Sequence, residues 1–301
     1  MITPPGLRKG DTVGITAPAS RLSEQEIIPA ADLIRSWGLN VVFGRHLFSD
    51  RNSFAGNDNQ RAADFQQMLD DPDIRAILCA RGGYGSIRIM DRLKFGNFLQ
   101  HPKWIAGYSD ITVIHAFLQQ CLGTESIHGA MLRTVSPGQP DLTSLDSLRA
   151  VLFEGLREYA LKPHHLNIPG EATGTLVGGN LSVLYSIAGS CYEPDTAGRI
   201  LFIEDVGEYL YHIDRMIMNM KVRGRLSSLA GLVVGEMSGM KTSPSGFRKP
   251  AYKVIREAVA SYGYPVMFGF PAGHGHPNLS LILGREVTLA VEAKGCKLKF
   301  F

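Results

Sequence analysis

The stretch that most constrains this chain runs from Trp104 to Leu118. An apolar run, Trp104-Ile105-Ala106, passes through Gly107-Tyr108-Ser109-Asp110 into Ile111, Ile114 and Leu118, spaced i, i+3 and i+7. That spacing is a helix with one buried face, so the stretch reads as strand, sharp turn, helix, with Ser109 at the corner. Such a corner projects a hydroxyl from the carboxyl end of a strand and sets the first helix N–H groups beside it. A nucleophile and its oxyanion donors then share one turn. The same residues also read as an ordinary cap, with Asp110 capping the helix. They depart from the Gly-x-Ser-x-Gly elbow of α/β-hydrolases, because Ile111 stands two after the serine.

The text before this corner alternates strand and helix. Thr12–Ser20 is a short apolar strand running into a small-residue turn, a helical pattern follows from Ser23 to Trp37, and Asn40-Val41-Val42-Phe43-Gly44 is a second strand. This βαβ opening belongs to a parallel sheet with helices on its faces. After a helix over 59–69, the strand Ile74–Ala80 ends in Arg81-Gly82-Gly83-Tyr84-Gly85-Ser86, ahead of a helix over 87–93. A glycine-rich βα turn lets backbone N–H groups approach an anion. Its spacing is not G-x-G-x-x-G and it does not follow the first strand, so a dinucleotide fingerprint is not met. It reads either as a tight turn or as a loop that brings donors to the crevice at the strands' carboxyl ends.

Beyond a helix near 143–156, Lys162-Pro163-His164-His165-Leu166-Asn167-Ile168-Pro169-Gly170 has no periodicity and reads as a boundary. The expected division is an N-terminal Rossmann-like parallel-sheet domain over 1–162, a linker over 163–171, and a smaller β-rich domain over 172–301. The fold class is α/β. In the second half Ala172–Gly179 leads into a helix, Arg199–Ile203 is an apolar strand running into Glu204-Asp205, and a helix spans Tyr211–Lys221. Strands at 229–235 and 266–269 follow, then the turn Pro271–Asn278 and two closing strands, Ser280–Leu283 and Glu286–Val291.

With 301 residues, 45% of them hydrophobic, the chain has material for a large core and two domains. A net charge of +3 without a basic run argues against a nucleic-acid partner. Cys79, Cys121, Cys191 and Cys296 form no C-x-x-C pair, so neither a zinc cluster nor a disulfide frame is indicated. The first residues lack the build of a signal peptide and no apolar run is long enough to span a bilayer. The expectation is a cytoplasmic protein without a membrane partner.

Glu204 ends an apolar strand, where a carboxylate needs a partner or water. His274 lies between two glycines after another strand. Each has a plain reading, as half of an ion pair or as a hydrogen-bonded turn residue, but with Ser109 they complete the three parts of a hydrolytic triad. His276 rivals His274, and Asp205 or Glu208 rivals Glu204.

Together, Ala80-Arg81-Gly82-Gly83-Tyr84-Gly85, Gly107-Tyr108-Ser109-Asp110, Gly174–Leu181, Ile203-Glu204-Asp205-Val206-Gly207-Glu208 and Gly273-His274 through Gly284 resemble the successive signatures of the serine LD-carboxypeptidases. The resemblance implies Ser109 as nucleophile, with Glu204 and His274 completing the triad. It implies an oxyanion hole made by the N–H of Asp110 and of a glycine in the Gly82-Gly83 turn, Gly83 being the first choice. Apart from the resemblance, Arg81 and Tyr84 are the expected substrate contacts; the guanidinium fork of Arg81 suits a terminal carboxylate and equally a structural salt bridge. No metal or other cofactor is implied. The implied reaction is release of terminal D-alanine from the murein tetrapeptide by a homodimer. A related branch of microcin-immunity peptidases, acting on peptidyl-nucleotides, is the alternative.

Overall fold

The computed structural model describes residues 1–136, 139–242 and 246–301. Its first half runs β1 (Thr12–Thr16), α1 (Glu24–Ser36), β2 (Asn40–Phe43), α2 (Asp58–Asp70), β3 (Ile74–Cys79), α3 (Gly96–Gln100), β4 (Trp104–Gly107), α4 (Thr112–Leu122) and β5 (Ser126–His128). A small ribbon of β6 (Val135–Ser136) and β7 (Gln139–Pro140) follows, then α5 (Leu142–Glu154). Strands β2-β1-β3-β4-β5 pair in parallel, which is a doubly wound order with its switch between β1 and β3. β3 and β4 therefore deliver their carboxyl-end loops to neighbouring places on one edge. The central strands are predominantly apolar because both faces are covered: Val13, Ile15, Ile77, Leu78, Ile105 and Ala106 are all buried.

Local chemistry explains where the helices start. At α1, Ser23 N donates to Glu26 Oε2 at 2.8 Å; at α2, Asn57 N donates to Gln60 Oε1 and Gln60 N to Asn57 Oδ1, both at 2.9 Å. Each is a capping box that satisfies N–H groups the helix itself leaves free.

The second half runs β8 (Glu158–Leu161), β9 (Gly170–Asn180), α6 (Leu181–Ser186), β10 (Ile200–Val206), α7 (Leu210–Val222), β11 (Gly231–Ser238), α8 (Ala251–Val259), β12 (Val266–Phe268), β13 (Leu281–Leu283), β14 (Glu286–Glu292) and β15 (Gly295–Phe300). Seven of these strands form one sheet in the order β12-β11-β10-β9-β14-β15-β8. β9 to β12 are parallel, whereas β14, β15 and β8 are antiparallel. The α/β architecture and the β-rich second half match the reading of the sequence.

Strand membership follows the sheets rather than a cut at 163–171. β8 precedes that segment yet pairs with β15. β13, expected to close the second half, instead crosses back and pairs antiparallel with β5. Three residues, Leu281-Ile282-Leu283, fit either sheet by hydrophobicity, and all three are fully buried at the edge of the first one. The helix expected at 87–93 is a 3-10 helix over Ser86–Arg92. Among the described residues no helix is long and apolar enough to cross a membrane.

Candidate active site

Ser109 lies just beyond β4 at the start of a short 3-10 turn, Ser109–Ile111, that leads into α4. Its φ is +63°, a left-handed conformation that costs a non-glycine residue on the order of 1–3 kcal/mol. The strain is held in place by packing on both sides: β4 is buried in the sheet, and Ile111, Val113 and Ile114 of the helix are buried beneath it. The Gly82 turn after β3 closes on the same spot. A Cβ built on Gly82 would stand 3.0 Å from Ser109 Cβ, 3.2 Å from its Oγ and 3.4 Å from Asp110 N. Only a bare α-carbon leaves the hydroxyl accessible from that side.

Asp110 does not cap its own helix, contrary to the plain reading of the sequence. Its Oδ2 accepts from Ser86 N at 2.7 Å, so the carboxylate ties the end of the glycine loop to the serine turn. Burial pushes its pKa up, opposed by that hydrogen bond. The Asp110 N–H, at the start of a helix, has no intrahelical acceptor.

Glu204 is reached from the other half. β10 carries it on a fully buried run, Ile200 to Asp205, and its side chain is 0% exposed. Glu204 Oε2 accepts from His274 Nδ1 at 2.8 Å. The imidazole in turn packs against Tyr108, the residue before Ser109, with ring centroids 4.9 Å apart. The tyrosine's hydroxyl is pushed up to about 12, first by burial and then by the Glu204 charge. The Tyr108 ring contact therefore brings the Glu204-His274 pair of the second half beside the serine turn of the first.

The rivals have other partners. His276 Nδ1 faces Asp141 Oδ2 at 3.0 Å with its side chain 74% exposed. Glu208 pairs with His212 at 2.5 Å. Asp205 is buried, raised to about 6 by burial ahead of the neighbouring Glu204 charge, and accepts from Asn180 Nδ2 at 3.1 Å and Ser182 N at 3.0 Å. It holds the start of α6.

Of the remaining expected residues, Arg81 donates from Nη1 to Arg21 O at 2.6 Å and lines a cavity of about 480 Å³ with Arg21, Ser23, Glu26 and Asp50. Tyr84 is 58% exposed, its ring 6.0 Å from Phe54. Gly83 stands at φ +107°, and the preceding Gly82 carbonyl accepts from Ser20 N at 3.2 Å.

Three contributors were not legible in the sequence. Thr112 Oγ1 accepts from Asn180 N at 2.9 Å, joining α4 to the end of β9. His115 Nε2 donates to Gly107 O at 2.9 Å, steadying the strand end before the serine. Burial lowers its pKa to about 4, so the ring is neutral. The pKa of His128, buried between Tyr108 and Phe202, is lowered well below 6.5 by burial and by the neighbouring His115 and His274. Each depends on contacts between residues far apart in the chain, and no local pattern announces them.

Comparison with known proteins places this geometry in a family context. Residues 13–129 match the LD-carboxypeptidase N-terminal domain and residues 173–289 the LD-carboxypeptidase C-terminal domain. A probable murein peptide carboxypeptidase of Bacillus subtilis is 36% identical over 295 residues, covering 97% of this chain and 92% of the relative. The microcin C7 self-immunity protein of Escherichia coli is 25% identical over 97% of this chain and 94% of its own length. The crystal structure of muramoyltetrapeptide carboxypeptidase from Oxalobacter formigenes superposes with a TM-score of 0.88 at 26% identity, covering 96% of this chain and 98% of that one.

Proposed function

The chain belongs to the LD-carboxypeptidase family, and from that premise we propose that it releases terminal D-alanine from murein tetrapeptides by a serine mechanism, using Ser109, His274 and Glu204. The observation that carries this reading is the Glu204-His274 hydrogen bond of 2.8 Å beside a serine held at φ +63°.

In this mechanism Nδ1–H of His274 donates to Glu204, which fixes the tautomer and leaves Nε2 free to accept the Ser109 proton. Ser109 Oγ attacks the amide carbonyl that precedes D-alanine. The oxyanion forms against the Asp110 N–H and the Gly83 N–H. A trans peptide sets the Gly83 N–H opposite the Gly82 carbonyl, and that carbonyl is turned toward Ser20, which supports Gly83 as the donor. His274 then protonates the leaving amine of D-alanine, an acyl-enzyme remains on Ser109, and a water activated by His274 hydrolyses it. Arg81 takes the terminal carboxylate, and Tyr84 at the loop tip covers the substrate. The working form in this reading is a cytoplasmic homodimer acting on recycled wall peptides.

The test is D-alanine release from L-Ala-γ-D-Glu-meso-diaminopimelate-D-Ala, comparing the native protein with Ser109→Ala. Release by the native protein, lost by several powers of ten in the variant, is the expected result. No release by folded native protein, with cleavage of an aminoacyl sulfamoyl nucleoside instead, would move the assignment to the peptidyl-nucleotide branch.

A further inference from the structure

Arg61 stands in the first turn of α2 with its side chain wholly enclosed. Both placements are unfavourable for a cation. A guanidinium is costly to take out of water, and the N-terminal turn of a helix disfavours positive charge. Asp58 Oδ1 accepts from Nη2 and offsets part of this, while Nε has no hydrogen-bond partner among the described residues. An apolar side chain in place of a buried ion is often neutral or stabilising, so stability does not account for the charge.

What a guanidinium does here that an apolar group cannot is hold backbone. Nη1 donates to Pro18 O, in the loop after β1, and to Gly85 O at 2.9 Å, in the loop after β3. The Gly85 carbonyl shares a peptide plane with the Ser86 N–H, which donates to Asp110 Oδ2 at 2.7 Å. One peptide group is therefore gripped at both ends, by Arg61 on its oxygen and by the residue after Ser109 on its nitrogen. The fit is close: a Cβ on Gly85 would stand 2.8 Å from Arg61 Nη1, and Gly85 lies at φ +129°. Burial raises the Asp110 pKa, and after the Ser86 contacts the Arg61 charge opposes that rise.

The near end of the glycine loop is tied to the same side chain through the β1 loop. Two residues beyond Pro18, Ser20 N donates to Gly82 O at 3.2 Å. Gly82 in turn lies against Ser109, its built Cβ 3.0 Å from the serine Cβ. Arg61 thus joins the loops at the carboxyl ends of β1 and β3 directly, and the loop after β4 through Asp110.

Resting on the serine carboxypeptidase reading, we propose that Arg61 is a positioning residue for the oxyanion hole, fixing the glycine loop at Gly85 and, through the β1 loop, at Gly82, so that the Gly83 N–H is held where the oxyanion develops. It acts through the loop rather than on the substrate. Its effect therefore falls on the transition state and leaves ground-state binding alone.

The test pairs kcat and KM for D-alanine release from the murein tetrapeptide with the rate at which a small alkyl fluorophosphonate modifies Ser109, a reaction that uses the oxyanion hole without a bound peptide. Arg61→Met should lower kcat by about a hundredfold, the cost of roughly a 1 Å misplacement, with KM little changed and the modification slowed in parallel. Arg61→Lys keeps the charge beside Asp58 and so guards against a failure to fold. It puts one point donor where the guanidinium spans three acceptors, so it should melt near the native temperature with both rates still lowered, by about tenfold. A variant that had only lost stability would instead leave fewer reactive molecules, each modified at the native rate. Asp110→Ala frees the other end of the same peptide, so adding it to Arg61→Met should cost little more than the more damaging single change. Native rates in either folded variant, a loss confined to KM, or losses that multiply in the double variant would overturn the inference while the activity stands. Neither release nor modification of Ser109 in native enzyme would overturn the activity, and this inference with it.

Discussion

Glu204 and His274, seventy residues apart, meet at 2.8 Å with the carboxylate wholly enclosed and its second oxygen, Oε1, without a hydrogen-bond partner among the described residues. A buried carboxylate in that position stabilises a neighbouring positive charge far more than one in water. Glu204→Gln should therefore cut kcat by 10²–10⁴ with KM little changed. His276→Ala, at a ring already paired elsewhere and largely in solvent, should change kcat less than twofold. Steady-state kinetics on the two variants checks the pair; equal losses would reverse the choice between the histidines.

The strain at Ser109 opposes stability. Ser109→Gly relieves a left-handed serine and should raise unfolding free energy by up to about 1 kcal/mol while abolishing turnover. Urea denaturation alongside the activity assay would show the two quantities moving in opposite directions. A less stable glycine variant would argue that the turn is not strained.

Gly82→Ala adds a methyl group 3.2 Å from the Ser109 hydroxyl without requiring a left-handed backbone at 82. The fold should survive with a loss of about 1–3 kcal/mol at most, and kcat/KM should drop at least tenfold. Melting temperature and kinetics on one preparation separate the two effects.

Acid should destabilise the fold through the buried histidines. The His115 pKa is lowered by burial from its ordinary value of 6.5 to about 4, and that of His128 is lowered well below 6.5. As pH falls through 6.5 the unfolded chain takes up these protons while the folded one does not, so stability is lost between about 6.5 and 4. His115 alone accounts for about 3 kcal/mol over that window. Urea midpoints at pH 7.5 and pH 5 should show the decline, and His115→Gln should reduce its slope.

Thr112→Val removes the acceptor for Asn180 N, a contact that ties the serine helix to the end of β9. A buried N–H left unpaired costs about 1–3 kcal/mol. Chemical denaturation should register that loss, with a Thr112→Ser variant retaining most of the native stability.

Residues 104–118 announced the strand, the corner and the helix, because the switch from an apolar run to i, i+3, i+7 spacing is a local property of the chain. The βαβ opening, the glycine turn after β3 and the apolar strand that carries Glu204 were legible for the same reason, although that strand runs two residues past Glu204, to Val206. Local periodicity could not say which sheet Leu281-Ile282-Leu283 would join, since a short buried strand fits any apolar edge. Nor could it choose between His274 and His276, two residues apart in one turn: the choice rests on which ring reaches Glu204 and which reaches Asp141. Asp110 read as a cap and serves as an acceptor for Ser86, because the glycine loop is brought next to it only when β3 and β4 pair. The sequence by itself determined the elements and the kinds of side chain at their ends. Tertiary structure decided which of those ends meet, because hydrogen bonds and ion pairs between distant residues exist only once both sheets are assembled and the water between them is gone.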